Sequence, residues 1–264
     1  MIRKHFLWVL CVMMLFSVTI ISWTPISEPK TLTSTKLTAS VREAFEQYVA
    51  TIYQTANLQQ AGLDLAVFQK ALTGYINLKA GNMLPQNSSV ITVVDLNKSS
   101  CEKRMWIIDV AAKQLLLNTL VAHGEGSGDD MATQFSDNDD SHQSSLGFYL
   151  TDDVYNGKNG RSLRLDGLDE GFNASARARA IVLHGASYVS EKAIAKMGRL
   201  GHSWGCPAVP LKVRDKVINT IKGKTVLFIN GNDSSYTSKY LDESGLEDFA
   251  PDATGAESQA VASR

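Results

Sequence analysis

The stretch "LHGASYVSEKAIAKMGRLGHSWGCPAVP", residues 183–210, decides how this chain is read. It opens at the end of the apolar run "AIVLHG" (180–185), whose β-branched and large apolar residues predict a strand. Ser190 and Gly198 then bracket a short helix, the serine as its start and the glycine as its stop. Cys206 follows, set between Gly205 and Pro207, and a further helix spans about 210–222 with Val213, Val217, Ile218 and Ile221 inward. A histidine at a strand end and a cysteine in a glycine-flanked turn thus stand 22 residues apart.

Cys206 admits four readings: core filler, half of a disulfide, a metal ligand, or a nucleophile. Of the three cysteines, Cys11 lies in an N-terminal apolar run, which leaves Cys101 as the one disulfide partner. A chain of 264 residues needs no such staple. A zinc set of His184, His202 and Cys206 matches no established ligand spacing. A thiol nucleophile needs a base, because the thiolate attacks, and it needs donors where an oxyanion forms. His184, at a strand end facing a loop, is the first choice of base. His202 and His123 compete with it, and His123, in "VAHGEGSG" (121–128), is a candidate to line the same cleft. Pro207 has no N–H, so the oxyanion donors are sought at the amides of Cys206, Gly205 and Trp204. Ser203 either orients the cleft or closes the turn.

Working outward, "VITVVDL" (90–96), "RMWIIDV" (104–110), "QLLLNTLVAHG" (114–124), "LGFYLTD" (146–152) and "KTVLFIN" (224–230) also predict strands. Upstream, Ser40 and Glu43 form a capping-box pair ahead of a helix carrying Phe45, Val49 and Ile52 on one face. A second helix starts near Asp64, with Leu65, Phe68, Leu72, Tyr75 and Ile76 on its face. These two helices are expected to pack on the sheet. The long connection 125–145 carries the acidic cluster "DNDD" (137–140), read as a solvated face because it lacks the glycine and distal glutamate of an EF-hand loop. Asp166 is expected to pair with Arg164.

The ends read differently from the middle. "MIRKH" precedes 17 uncharged residues, so positions 1–23 are expected to be a signal peptide or membrane anchor, with the rest of the chain exported to the periplasm or cell envelope. Residues 24–39 read as a linker, 40–240 as the folded domain, and the acidic, small-residue segment 241–264 as a disordered tail. With 26 basic and 27 acidic residues, the chain has no nucleic-acid footprint.

Taken together, 183–210 resembles the catalytic segment of the L,D-transpeptidase catalytic domain family, the YkuD-like group of bacterial wall enzymes. Ser203, Gly205 and Cys206 match the family's Ser/Thr-His-Gly-Cys motif. Trp204 stands where that motif has a histidine, and the spacer from His184 is longer. These departures resemble a divergent branch with Ser-Trp/Tyr-Gly-Cys-Pro-Ala-Val-Pro, as do "VAHGEGSG", "SSLGFYLT" (144–151) and "YNGKNGRSLRLDGLDEGFN" (155–173). The resemblance implies an α+β fold with a mixed, sandwich-like β core and flanking helices. It implies that Cys206 attacks the L-centre carbonyl of a diamino acid in a peptidoglycan stem peptide and expels D-alanine, with His184 taking the thiol proton. A backbone carbonyl would orient that histidine, since Gly185 has no side chain. An amine from a second stem peptide, or water, would then resolve the thioester. No cofactor or metal is implied, and a monomer suffices. Arg164, Arg177 and Arg179 are candidates to hold stem-peptide carboxylates, because arginine grips a carboxylate with two parallel bonds. The alternatives are an L,D-carboxypeptidase or another exported cysteine peptidase, and a non-catalytic wall-binding domain.

Overall fold

The computed structural model describes residues 39–246, without the side chain of Ser244. The expected leader or anchor, the linker up to residue 38 and the chain beyond 246 lie outside the described residues. Two helices come first, α1 (Ala39–Thr55) and α2 (Leu65–Ala80). Ser40 sits inside the first turn of α1 rather than ahead of it. Asp64 does cap α2, its Oδ1 accepting the amides of Ala66 at 2.8 Å and Val67 at 3.3 Å. On α2, Phe68, Leu72 and Tyr75 are buried as expected, joined by Val67, Ala71 and Leu78, whereas Leu65 is exposed. The buried face is wide because the sheet, α1 and the C-terminal turns all cover this helix.

Eight strands follow: β1 (Val90–Asp95), β2 (Met105–Asp109), β3 (Gln114–Thr119), β4 (Gly147–Gly157), β5 (Gly160–Gly167), β6 (Val182–Ala186), β7 (Ala208–Pro210) and β8 (Val226–Asn230). They form one mixed sheet in the order β3-β2-β1-β8-β4-β5-β6-β7. The pairs β1–β8 and β6–β7 are parallel, and the rest are antiparallel. The sheet curls until its ends touch: Ala122, just past β3, bridges Ala208 of β7, with Ala122 N–H donating to Ala208 O at 2.8 Å. The expected α+β class, mixed sheet and flanking helices are all present, and the layered core arises from this single sheet folded over.

Alternation along each strand separates two cores. Ile91, Val93, Phe148, Val226 and Phe228 face α1 and α2. Val94, Tyr149, Leu163, Leu183, Leu227 and Ile229 face inward, where they meet Val217, Ile218 and Ile221 of α4 (Leu211–Ile221). Central strands β1 and β8 are therefore buried on both faces, which explains their unbroken apolar runs.

Three features differ from expectation. Strand β5 is an addition to the expected strands: "GRSLRLDG" carries only two alternate leucines between glycines, and both are buried. Strand β7 is three residues long and its pairing is set by its neighbours. The chain also stays ordered past 240: Leu246 is fully buried, Asn77 donates to the carbonyl of Asp242 at 2.9 Å, and Glu243 pairs with Arg42.

Candidate active site

The spacing between His184 and Cys206 follows from topology. Strands β6 and β7 are parallel neighbours, so the chain must return between them, and helix α3 (Glu191–Met197) makes that crossover. Ser190 Oγ caps α3 and Gly198 ends it in the left-handed region, φ 72°, as the sequence predicts. In register, His184 lies opposite Ala208, two residues past Cys206, and its amide meets Pro207 O at 3.3 Å. On its other side His184 lies opposite Ser162 of β5, and Arg164 lies opposite Val182. Leu163 and Leu183 face the inner core, so Ser162, Arg164, Val182 and His184 share the opposite face.

Both described cysteines, Cys101 and Cys206, are free. Cys101 Sγ contacts Gly198 O at 3.2 Å, which removes the disulfide reading. Cys206 Sγ receives the amide of Val182 at 3.4 Å and lies 3.8 Å from Ala180 O. Burial pushes the Cys206 thiol up, while the Val182 N–H and the charge of Arg179 pull it down. Burial pushes the His184 imidazole down, opposed by the carbonyl of Gly185. That carbonyl accepts from His184 Nδ1 at 3.2 Å, which is the backbone orientation expected of a glycine neighbour. The proton therefore sits on Nδ1, and Nε2 keeps its lone pair with no hydrogen-bond partner among the described residues. Sulfur and imidazole are not hydrogen-bonded to each other here; such contacts commonly tighten only on substrate binding.

The turn carrying the cysteine is closed by Ser203. Its Oγ donates to Cys206 O at 2.6 Å and accepts the Gly205 amide at 3.2 Å. Gly205 is thus committed within the turn and is not a free oxyanion donor, while the amides of Trp204 and Cys206 have no partner among the described residues. Gly205 has φ 107°, and a Cβ there would stand 2.6 Å from Gln143 O, so only glycine fits. On the inner side of β6, the Arg214 side chain crosses Gly185, where a Cβ would come within 2.9 Å of its Cδ.

The other sequence candidates separate clearly. His123 is fully buried and used at both nitrogens: Arg104 Nη2 donates to Nδ1 at 2.7 Å, and Nε2 donates to Gly128 O at 3.1 Å. It faces no cleft, because its ring is the anchor of a buried cation rather than a ligand for substrate. Burial, reinforced by Arg104, lowers its pKa to about 4. His202 meets Asp129 O through Nε2 at 2.7 Å, and no three His, Cys, Asp or Glu side chains among the described residues are grouped to hold a metal. Arg177 is taken by Asp166 at 2.6 Å and by Asp152. Asp166 therefore belongs to Arg177, not to Arg164. The Arg164 guanidinium instead lies 4.5 Å over the Tyr155 ring and, alone among those of the described arginines, makes no side-chain hydrogen bond or ion pair.

Sequence reasoning missed the supports. Buried Arg104 donates to Val121 O at 3.1 Å and Lys98 O at 2.7 Å as well as to His123. His123 O and Glu125 N in turn bond Ser203, at 3.0 and 2.9 Å. Arg179, read as a carboxylate binder, spans the long loop instead, meeting Ser136 O, Ser145 Oγ, Ser141 Oγ and Gln143 O at 2.6–3.1 Å. Asp137 joins that network, accepting the Ser175 amide at 2.8 Å, so only Asn138, Asp139 and Asp140 of the acidic cluster are solvated. A polar loop of serines with one arginine 34 residues beyond its last member was the available signal.

The site is thus a free cysteine in the turn that leads into β7 and a histidine on the parallel neighbour β6. The model of the L,D-transpeptidase catalytic domain matches residues 59–230, and the chain belongs to that family. Among solved structures, the chain is similar to an L,D-transpeptidase from Mycobacterium smegmatis at 9% identity, covering 55% of this chain and 59% of that one, with a TM-score of 0.33. An L,D-transpeptidase from Xylanimonas cellulosilytica is 14% identical over 56% of this chain and 63% of its own, TM-score 0.32. One from Stackebrandtia nassauensis is 11% identical over 65% and 68%, TM-score 0.34. The chain thus spans less than two thirds of the first two. A search of curated protein sequences gave no match.

Proposed function

We propose that this chain is an exported enzyme that acts on peptidoglycan stem peptides as an L,D-transpeptidase, with Cys206 as nucleophile and His184 as base. The observation that carries this reading is the placement of a free, partly exposed thiol in the turn that leads into β7, next to the parallel strand β6 whose His184 has no hydrogen-bond partner on Nε2 among the described residues.

In this mechanism Sγ attacks the L-centre carbonyl carbon while Nε2 takes the thiol proton. The amides of Trp204 and Cys206 stabilise the oxyanion. Collapse expels D-alanine, whose amine leaves with the proton from Nε2, and a thioester remains. An amine acceptor then forms a new amide, or water releases the shortened peptide. Unpaired Arg164, two strand positions from Ser162 opposite His184, supports a role in holding a stem-peptide carboxylate.

Incubating the domain with disaccharide-tetrapeptide and reading products by mass tests this. Loss of D-alanine with dimer formation is expected, and Cys206→Ala abolishes both, along with covalent labelling by a carbapenem. Labelling retained at another residue would remove the basis of the proposal, and sacculus binding without any product would point to a binding domain.

A further inference from the structure

Trp204, two residues before the nucleophile, is 65% exposed, more than any other large hydrophobic residue described. An indole left in water is unusual unless something uses it. It is also not free to collapse onto the body. The His142 ring stacks on it at 4.7 Å and 4°, and His142 Nδ1 is held by Glu125 Oε1 at 2.7 Å. One face of the indole is therefore covered and the ring is braced, while the other face meets solvent. Close to that ring lies Lys158 Nζ, 5.8 Å from the centroid, on the turn joining β4 to β5. An indole attracts an alkylammonium through its negative face, more strongly than the other aromatic side chains do. On the same turn as the thiol, two residues before Cys206, stands a braced aromatic surface already visited by a primary ammonium on a flexible chain.

We infer that Trp204 is the subsite for the acceptor's side-chain ammonium, and that Lys158 is an internal stand-in which the acceptor displaces. This rests on the transpeptidase reading above, which already calls for an amine acceptor, and adds to it the residues that hold that amine as a primary alkylammonium. The half-exposed Glu125 carboxylate behind His142 adds attraction of the same sign. Once D-alanine has left with the thiol's proton, the His184 imidazole is neutral again and takes one proton from the docked ammonium. The freed amine nitrogen attacks the thioester carbon, the C–S bond breaks, and sulfur leaves as thiolate. The thiolate takes the second nitrogen proton, giving an amide and a thiol, and the imidazolium returns its proton to water. Hydrolysis of the same thioester gains nothing from the indole, so Trp204 biases the outcome toward crosslinking.

The test uses disaccharide-tetrapeptide bearing a free side-chain amine as both donor and acceptor, with dimer and shortened tripeptide quantified together. Because both products come from one thioester, their ratio reads the acceptor step alone. Trp204→Ala is expected to lower the dimer-to-tripeptide ratio about tenfold, and Trp204→Phe to retain part of it. Lys158→Met is expected to raise the ratio at limiting acceptor, a change of opposite sign that a merely structural role would not produce. A ratio unmoved in Trp204→Ala and in Lys158→Met, with thioester still forming, overturns the subsite alone. No thioester in the wild-type protein overturns the transpeptidase reading and the subsite with it. Thermal melting of each variant confirms that the folded protein is being compared.

Discussion

Arg104 donates to Nδ1 of His123 at 2.7 Å inside the fold, and this buried pair lies directly behind the turn that carries Cys206. His123 passes its own carbonyl to the Ser203 amide, and Ser203 Oγ holds the Cys206 carbonyl. A proton on Nδ1 would turn an acceptor into a donor facing a guanidinium. Burial first, and this guanidinium second, keep the imidazole neutral down to a pKa of about 4.

Acid stability follows from that pair. The unfolded chain binds the proton at the ordinary 6.5 and the folded one only near 4. The contribution is therefore complete above pH 6.5 and is lost as pH falls toward 4, amounting to about 2–3 kcal/mol between pH 7.5 and 4.5. Asn offers an acceptor in place of Nδ1 but no titration. Denaturant melts of His123→Asn and wild type at both pH values should show the wild type losing that much more. Equal losses would assign the acid sensitivity elsewhere.

Thiol reactivity gives a second expectation. Since burial raises the Cys206 thiol and lowers the His184 imidazole, the resting pair is thiol plus neutral imidazole at neutral pH. Iodoacetamide alkylation of Cys206 against pH should have its midpoint above that of glutathione measured alongside. A midpoint below glutathione would mean a preformed thiolate–imidazolium pair, and His184 would then not act as base in the attack.

Glycine 205 is predicted to be irreplaceable. Ala at φ 107° is strained, and its Cβ would press on Gln143 O, so Gly205→Ala should cost about 1–3 kcal/mol and displace the sulfur. D-alanine release should fall by more than about a hundredfold. Gly198, also at positive φ but with open space around it, is the control: Gly198→Ala should cost about 1 kcal/mol and leave turnover near wild type. Similar turnover in the two variants would separate the turn geometry from catalysis.

Arginines 164 and 177 are expected to diverge in steady-state kinetics. Arg164→Met removes an unpaired guanidinium and should raise the KM for tetrapeptide about tenfold with little change in kcat. Arg177 is already held by Asp152 and Asp166 at an exposed position, so Arg177→Met should leave KM unmoved. The reverse pattern would exchange their roles.

Much of this site could be read along the chain because its signals are local. The apolar run before His184, the Ser190 cap, the Gly198 stop and the glycine-flanked Cys206 are each short-range, so the strand–helix–turn unit and the proposed histidine and cysteine are visible in order. The partners of each charge were not. Arg177 rather than Arg164 reaches Asp166, Arg179 spans a loop more than thirty residues upstream, and Arg104 meets His123 across two strands. Sequence spacing says nothing about such meetings, because they depend on strand register and on how the sheet curls. Strand β7 shows the same limit: three residues have too little pattern to declare themselves, and their place is set by β6 on one side and Ala122 on the other. Local backbone preferences and hydrophobic periodicity thus determined the elements, and the residue types within them marked the proposed pair. Closure of the sheet, which desolvates some groups and leaves others exposed, assigned each remaining side chain its partner.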